Sequence, residues 1–201
     1  MQIPLFPLQT VLFPGASLPL HIFEPRYKQM MQDCEAHGLD FGVVCVEQEG
    51  LAVVGCTARL VNVLERYDDG RLDILTRGER RFQILSLDET EPYLQAHVEF
   101  LTDDTDPAPR TLRESALALH FEVMQHLMGD QAELPHLQLD SPVGYLLASA
   151  LPLSLLTQQT LLCLQSDKQR TDMLVHIYED LLPQLRMQDA DRQCGTSRLV
   201  H

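Results

Sequence analysis

The stretch Gly50-Leu-Ala-Val-Val-Gly55 has the glycine spacing of a loop that wraps phosphates, but Cys56-Thr57 stands where such a loop needs lysine and then serine or threonine. Without an ammonium group to reach the β and γ phosphates it has no nucleotide chemistry, and it reads as a strand with a turn at its first glycine. A serine-lysine peptidase pair fares no better. The chain has two lysines: Lys28 follows Glu24 by one helical turn, and Lys168 sits beside Asp167. Both settings are solvated, whereas a catalytic lysine must be desolvated to lose its proton. His120 and His126 are six residues apart, which turns them to different faces of one helix, and no His-Glu-x-x-His occurs. The five cysteines, Cys34, Cys45, Cys56, Cys163 and Cys194, lack Cys-x-x-Cys spacing. They indicate neither a disulfide framework nor a zinc knuckle and read as reduced thiols. No catalytic, cofactor-binding or metal residue is assigned, and the chain is read as not an enzyme.

Arg77, Arg80 and Arg81 make the one local basic cluster. Strand alternation sends Arg80 and Arg81 to opposite faces, Glu79 interrupts the group, and pairing with Asp68, Asp69 or Asp73 accounts for it. Lys and Arg total 15 against 29 Asp and Glu, a net charge of -14 that both halves of the chain share equally. An anionic molecule forgoes the counterion release that drives most binding to nucleic acid, and it is repelled by anionic membranes. No apolar run approaches the roughly 18 residues of a membrane span, and no basic segment leads an apolar one at the N-terminus. A soluble, cytoplasmic protein is expected.

The elements that must position any site begin with the first 27 residues, in which prolines interrupt a dense apolar run: Pro4-Leu5-Phe6-Pro7-Leu8, Val11-Leu12-Phe13-Pro14-Gly15, Leu18-Pro19-Leu20. Proline fixes φ and lacks an N–H, so this stretch predicts short extended pieces: a strand, a turn at Pro14-Gly15 and a second strand at a sheet edge. A helix opens at Pro25 and closes at Gly38, burying Tyr27, Met30, Met31 and Cys34 at three and four spacing. Residues 41–46, 51–64, 71–75, 81–87 and 93–101 read as strands, with Asp69-Gly70 as a hairpin signal and Phe82 and Ile84 inward against Arg81 and Gln83 outward. Strands at such short spacing predict a small closed or nearly closed barrel. Residues 102–109, acidic with two prolines, read as a linker. Beyond it, capping-box spacing at Thr111-Leu-Arg-Glu114 and Ser166-Asp-Lys-Gln169, an N-cap at Ser141-Pro142, and the stripes Leu112, Ala116, Leu119, Val123, Leu127 and Leu174, Ile177, Leu181, Leu185 predict a bundle of about four helices. The segment 189–201 is too polar to join it and reads as a loose tail.

Four pieces occur in an order that resembles one family. Pro-Leu-Phe-Pro-Leu followed by Leu-Phe-Pro-Gly and Leu-Pro-Leu, Val53-Val-Gly-Cys-Thr-Ala-Arg59 with Cys56 as an extra residue, Gly78-Glu-Arg-Arg-Phe82, and Ala148-Ser-Ala-Leu-Pro-Leu153 are similar to the N-terminal, substrate-binding domain of the ATP-dependent Lon proteases. The resemblance covers residues 1 to about 188. It implies an α+β fold: a PUA-like antiparallel β pseudobarrel with one embedded helix (1–101), a linker (102–109), a C-terminal α-helical bundle (110–188) and a polar tail (189–201).

In that family an ATPase and a Ser-Lys peptidase follow this domain. The resemblance stops before them, so it implies a stand-alone, non-catalytic module that engages unfolded or partner polypeptide, with no cofactor. Such binding needs a groove with apolar and aromatic surface. Phe13, Phe23, Arg26 and Tyr27, which surround the proline-rich turns and the first helix, are the candidates, with ordinary core packing as the competing account of the three aromatics. A nucleic-acid or small-molecule binder on the same fold is the alternative, since fold alone does not fix function.

Overall fold

The computed structural model describes residues 1–47, 50–104, 107–129 and 142–196, with the side chains of 190–196 left aside. In chain order the elements are β1 (Gln2–Leu8), β2 (Ser17–Ile22), α1 (Pro25–His37), β3 (Phe41–Glu47), β4 (Gly50–Leu51), β5 (Val54–Arg66), β6 (Leu72–Asp88), β7 (Gln95–Phe100), α2 (Arg110–Met128), α3 (Gly144–Ala150), α4 (Leu155–Cys163) and α5 (Asp167–Thr196). They form two compact units, Met1–Asp103 with Ala148–Gln165, and Asp104–Leu147 with Ser166–His201. The predicted N-cap at Ser141 falls outside the described residues.

In the first unit the strands bond in a ring, β1-β7-β6-β5-β3, closed by β3 back onto β1, with β2 added to β6 and β4 to β3. All these pairs are antiparallel except β1–β3, which is parallel. β1 carries two prolines because it changes neighbour along its length: Gln2 to Pro4 pair with β7 and Leu5 to Leu8 with β3. Each proline therefore needs a ladder partner on one side alone, the condition under which a missing N–H is tolerated.

The ring is filled by Ile3, Leu5, Val44, Phe82, Ala96 and Val98. Phe82 sits where two strands bring glycine: a Cβ on Gly42 or on Gly55 would lie 2.6 Å from its ring. Residues 71–75 and 81–87 were expected as separate strands broken at Gly78, but β6 runs unbroken through that glycine. Gly78 is needed there for closeness, since the Pro14-Gly15 turn bonds to it on both sides, Gly15 N–H to its carbonyl and its own N–H to Ala16, each at 2.8 Å.

β5 slips register against β6 between Leu60 and Asn62 and again between Val63 and Glu65. The extra residues at these two slips, Val61 and Leu64, are both exposed, as a bulge that interrupts alternation allows. α1 buries Tyr27, Met30, Met31 and Cys34, opens with Pro25 and ends at Gly38 in the left-handed region, φ 63°. Lys28 does not pair with Glu24; it donates to the Asp69 carbonyl at 2.8 Å, and Glu24 takes Arg26.

α4 belongs to this unit and not to the helical one. Gln159 Nε2 donates to the Val54 carbonyl of β5 at 2.8 Å. Arg81, expected to face outward, is buried and donates to the carbonyls of Leu162 and Leu164, each at 2.8 Å, and to the Asp103 carboxylate. The alternation is right in geometry, and Gln83 is exposed as expected, but at Arg81 that face of β6 meets the end of α4 instead of water.

In the second unit α2 and α5 pack together, burying Ala116, Val123, Leu174, Tyr178, Leu182 and Leu185. Ser166 Oγ caps α5 by accepting from Gln169 N–H. The other capping box is not used: α2 starts at Arg110, so Thr111 already lies inside it, and Glu114 pairs with Arg110. α5 continues to Thr196, past the predicted start of the tail.

Candidate functional site

The four candidate residues separate into different surroundings. Phe13 is 2% exposed, beneath the Pro14-Gly15 turn, so it stands in the core and has no surface to offer a partner. Tyr27 is 7% exposed. Its ring meets Phe6 edge-on at 4.2 Å, and the Arg26 guanidinium lies 4.5 Å above its centre. Arg26 itself is about half exposed, held by the Glu24 carboxylate. Phe23 is 58% exposed and stacks on His21 at 5.9 Å; His21 in turn bonds to Asp73, which also accepts from the Tyr67 hydroxyl. These donors hold the Asp73 carboxyl below its usual range, His21 first.

Arg26 and Tyr27 lie at one end of a groove along α1. One cavity of about 420 Å³ is lined by them with Pro7, Glu89, Pro92 and Leu94, and a second of about 500 Å³ by Gln2, Pro4, Gln29, Asp33 and His37; Glu91 and Tyr93 line both. Tyr93 donates its hydroxyl to Asp33 Oδ2 at 2.9 Å, and Gln29 donates to Oδ1 at 2.9 Å. Burial, and then the Asp33 carboxylate, push the Tyr93 phenol up to about 12, so it remains a donor at neutral pH. On the other flank of α1 a cavity of about 650 Å³ has Met31, Cys34 and Phe41 beneath it and the pairs Arg59–Asp40 and Arg66–Glu35 on its rim. Leu39, partly exposed just after the Gly38 turn, borders this cavity and the Asp33 one.

Burial pushes the Cys34 and Cys56 thiols up to about 12, which withholds the thiolate at neutral pH. Among the described residues no group of three or more His, Cys, Asp or Glu is placed to hold a metal ion, and no helix is long and apolar enough to cross a membrane. The arginine cluster is dispersed: Arg81 is buried, Arg80 lies 3.5 Å over the Phe100 ring, and Arg77 is exposed opposite Ser17 and Arg59. The expected aspartate partners are elsewhere, Asp69 with Arg71 and Asp73 with His21.

Sequence reasoning missed Asp33, Glu91 and Tyr93 as groove residues. The one available signal was Glu89-Thr-Glu-Pro-Tyr93, an acidic proline turn leading into a strand, which marks an exposed connection.

A family model described as the ATP-dependent protease La (LON) substrate-binding domain matches residues 2–180. The chain is 31% identical over 179 residues to Lon protease 2 of Herpetosiphon aurantiacus, which covers 81% of this chain and 22% of that protein. It is 30% identical over 142 residues to Lon protease of Parabacteroides distasonis, 66% of this chain and 17% of that one. The chain thus spans about a fifth of the length of these relatives. Among solved structures, a Lon N-terminal domain protein from Xanthomonas campestris superposes with a TM-score of 0.71 at 28% identity, over 88% of this chain and 98% of that one. With the family model spanning nearly the whole chain and a solved relative of matching fold, the chain belongs to the family of the Lon substrate-binding domain.

Proposed function

We propose that this chain is a polypeptide-binding module, acting without catalysis of its own as a receptor or adaptor for unfolded or partner polypeptide in the cytoplasm. The observation that carries the reading is the groove along α1, in which proline side chains and the edges of two largely buried tyrosines stand beside carboxylates on the ring of strands. Family membership supports polypeptide as the class of ligand. Arg26 and Tyr27 are the groove's contact residues in this reading, Tyr27 with the edge of a largely buried ring, and Phe23 is a further exposed contact outside the groove's lining. A domain of net charge -14 attracts cationic, apolar segments and repels acidic ones. Affinity is weak, on the order of micromolar Kd or poorer, because one small surface must order a flexible chain.

Fluorescence anisotropy with a labelled, unfolded basic peptide tests this. Saturable binding, weakened in Arg26→Glu without loss of thermal stability, is the expected result. No binding at about a hundred times micromolar concentration removes the reading. Purified protein should neither hydrolyse ATP nor cleave casein.

A further inference from the structure

The two cavities on the Tyr93 side of α1 form one groove, since Glu91 and Tyr93 line both. From Arg26 to His37 its helical wall runs roughly 16 Å at about 1.5 Å per residue, the length of about five residues of extended chain at ~3.3 Å each. Three carboxylates border it, Asp33, Glu89 and Glu91. Asp33 is engaged on both oxygens, by Gln29 and Tyr93. The cation at the groove's end, Arg26, is held by Glu24, and His37 Nδ1 is on the Asp33 carbonyl. Among the described residues Glu89 and Glu91 have neither a hydrogen-bond nor an ion-pair partner, and Glu91 sits at the junction of the two halves. The groove is therefore left with negative charge at its middle that no side chain pairs, and beside it the exposed ring of Pro92 and the outer part of Leu94, with Tyr93 buried beneath.

We infer that this groove binds a short extended polypeptide segment and selects one with a lysine or arginine at its centre. The cation meets Glu91, and the flanking residues lie against Pro92 and Leu94. Tyr93 and Gln29 hold the Asp33 carboxylate in position as a second, fixed acceptor. This rests on the polypeptide-binding reading and names the sequence class that the site prefers.

Three labelled peptides, identical except for lysine, norleucine or glutamate at the central position, distinguish the possibilities by anisotropy. The parent protein should bind the lysine peptide about fivefold tighter than the norleucine one, the scale of one partly exposed ion pair. Glu91→Gln should erase that difference, and Glu91→Lys should reverse the order in favour of glutamate. Glu91 is exposed in a connection, and unchanged melting temperatures establish that the variants fold. Glu99→Gln, an exposed acid outside the groove, should leave the preference intact. Equal binding of lysine and norleucine peptides by the parent, or a preference that survives both Glu91 variants or falls equally in Glu99→Gln, overturns the groove assignment while leaving polypeptide binding in place. If the parent binds none of the three, both readings fall.

Discussion

The carbonyl oxygen of Phe13 lies directly over the α-carbon of Gly78, so close that a Cβ there would be 2.1 Å from it. This contact seats the proline-rich turn on the long strand β6, with Leu12 also within 3.1 Å of the same point. The colliding group is backbone inside a hydrogen-bonded turn, so it has little freedom to retreat. Gly78→Ala should therefore cost about 3 kcal/mol, the upper part of the usual overpacking range, and lower the melting temperature by several degrees. A variant melting within about 1 °C of the parent would show that the turn can lift away.

Arg81 makes a second long-range tie, joining β6 to the end of α4 and to Asp103. Arg81→Ala withdraws a charged donor from the Leu162 and Leu164 carbonyls and from the partly exposed Asp103 carboxylate, a loss of about 2–3 kcal/mol on the scale of hydrogen bonds to a charged group. Amide hydrogen exchange should speed up selectively in residues 155–163. Uniform acceleration through the whole chain, or none, would contradict a local tie.

Because α4 completes the first unit, a fragment ending at the linker should be less stable than the intact chain. Residues 1–109 lack both the Leu162 and Leu164 carbonyls and the Gln159 contact to β5. Urea denaturation followed by tyrosine fluorescence should place its midpoint well below the corresponding transition of the full chain. Equal midpoints would mean that α4 contributes nothing to the barrel.

His120 gives a pH dependence whose sign is fixed by burial. It is buried against Tyr178, whose hydroxyl is 2.9 Å from Nδ1, and desolvation lowers its pKa below the ordinary 6.5. As pH falls through about 6.5, the unfolded chain takes up the proton before the folded one, so stability is present above that value and declines below it, toward the lower folded-state pKa. His176, raised by its bond to the Asp172 carbonyl, works in the opposite direction. The informative measurement is thus a comparison of urea midpoints at pH 7.5 and 5.5 for the parent and for His120→Gln. The variant should lose less stability on acidification, and identical slopes would assign the pH dependence to other groups.

α1 was legible in the sequence because its start, stop and buried face are all local signals: Pro25, Gly38 and the spacing of Tyr27, Met30, Met31 and Cys34. The barrel was legible for a similar reason, since short β-rich runs between turns have few other ways to bury themselves. Arg81 was not. Alternation assigns two faces to a strand but does not say that both are covered, and the cover comes from Leu162 and Leu164, some eighty residues on. Gly78 misled in the same way, because a glycine that ends a strand and one that admits another backbone look alike in one dimension. Arg26 was legible as a surface residue from its charge, but Phe23 was not, since a large apolar side chain reads first as core and it is exposed; the groove beside Arg26 depends on Asp33 meeting Tyr93 across sixty residues, a pairing that no local pattern encodes.

The exchange of neighbours along β1 also bears on how the chain is made. β3 and β7, the partners β1 needs, follow it by dozens of residues in sequence, so β1 stays unpaired until they emerge. An apolar segment in that position is a hazard for pairing with other nascent chains. Pro4, Pro7, Pro14 and Pro19 deny such intermolecular sheets their N–H donors at intervals of a few residues, while costing little in the finished ring, where β1 lends each of its prolines a partner on one side and β2 pairs with β6 alone. Each proline thus withholds an N–H that a foreign strand could use, at a place where the finished ring does not need it.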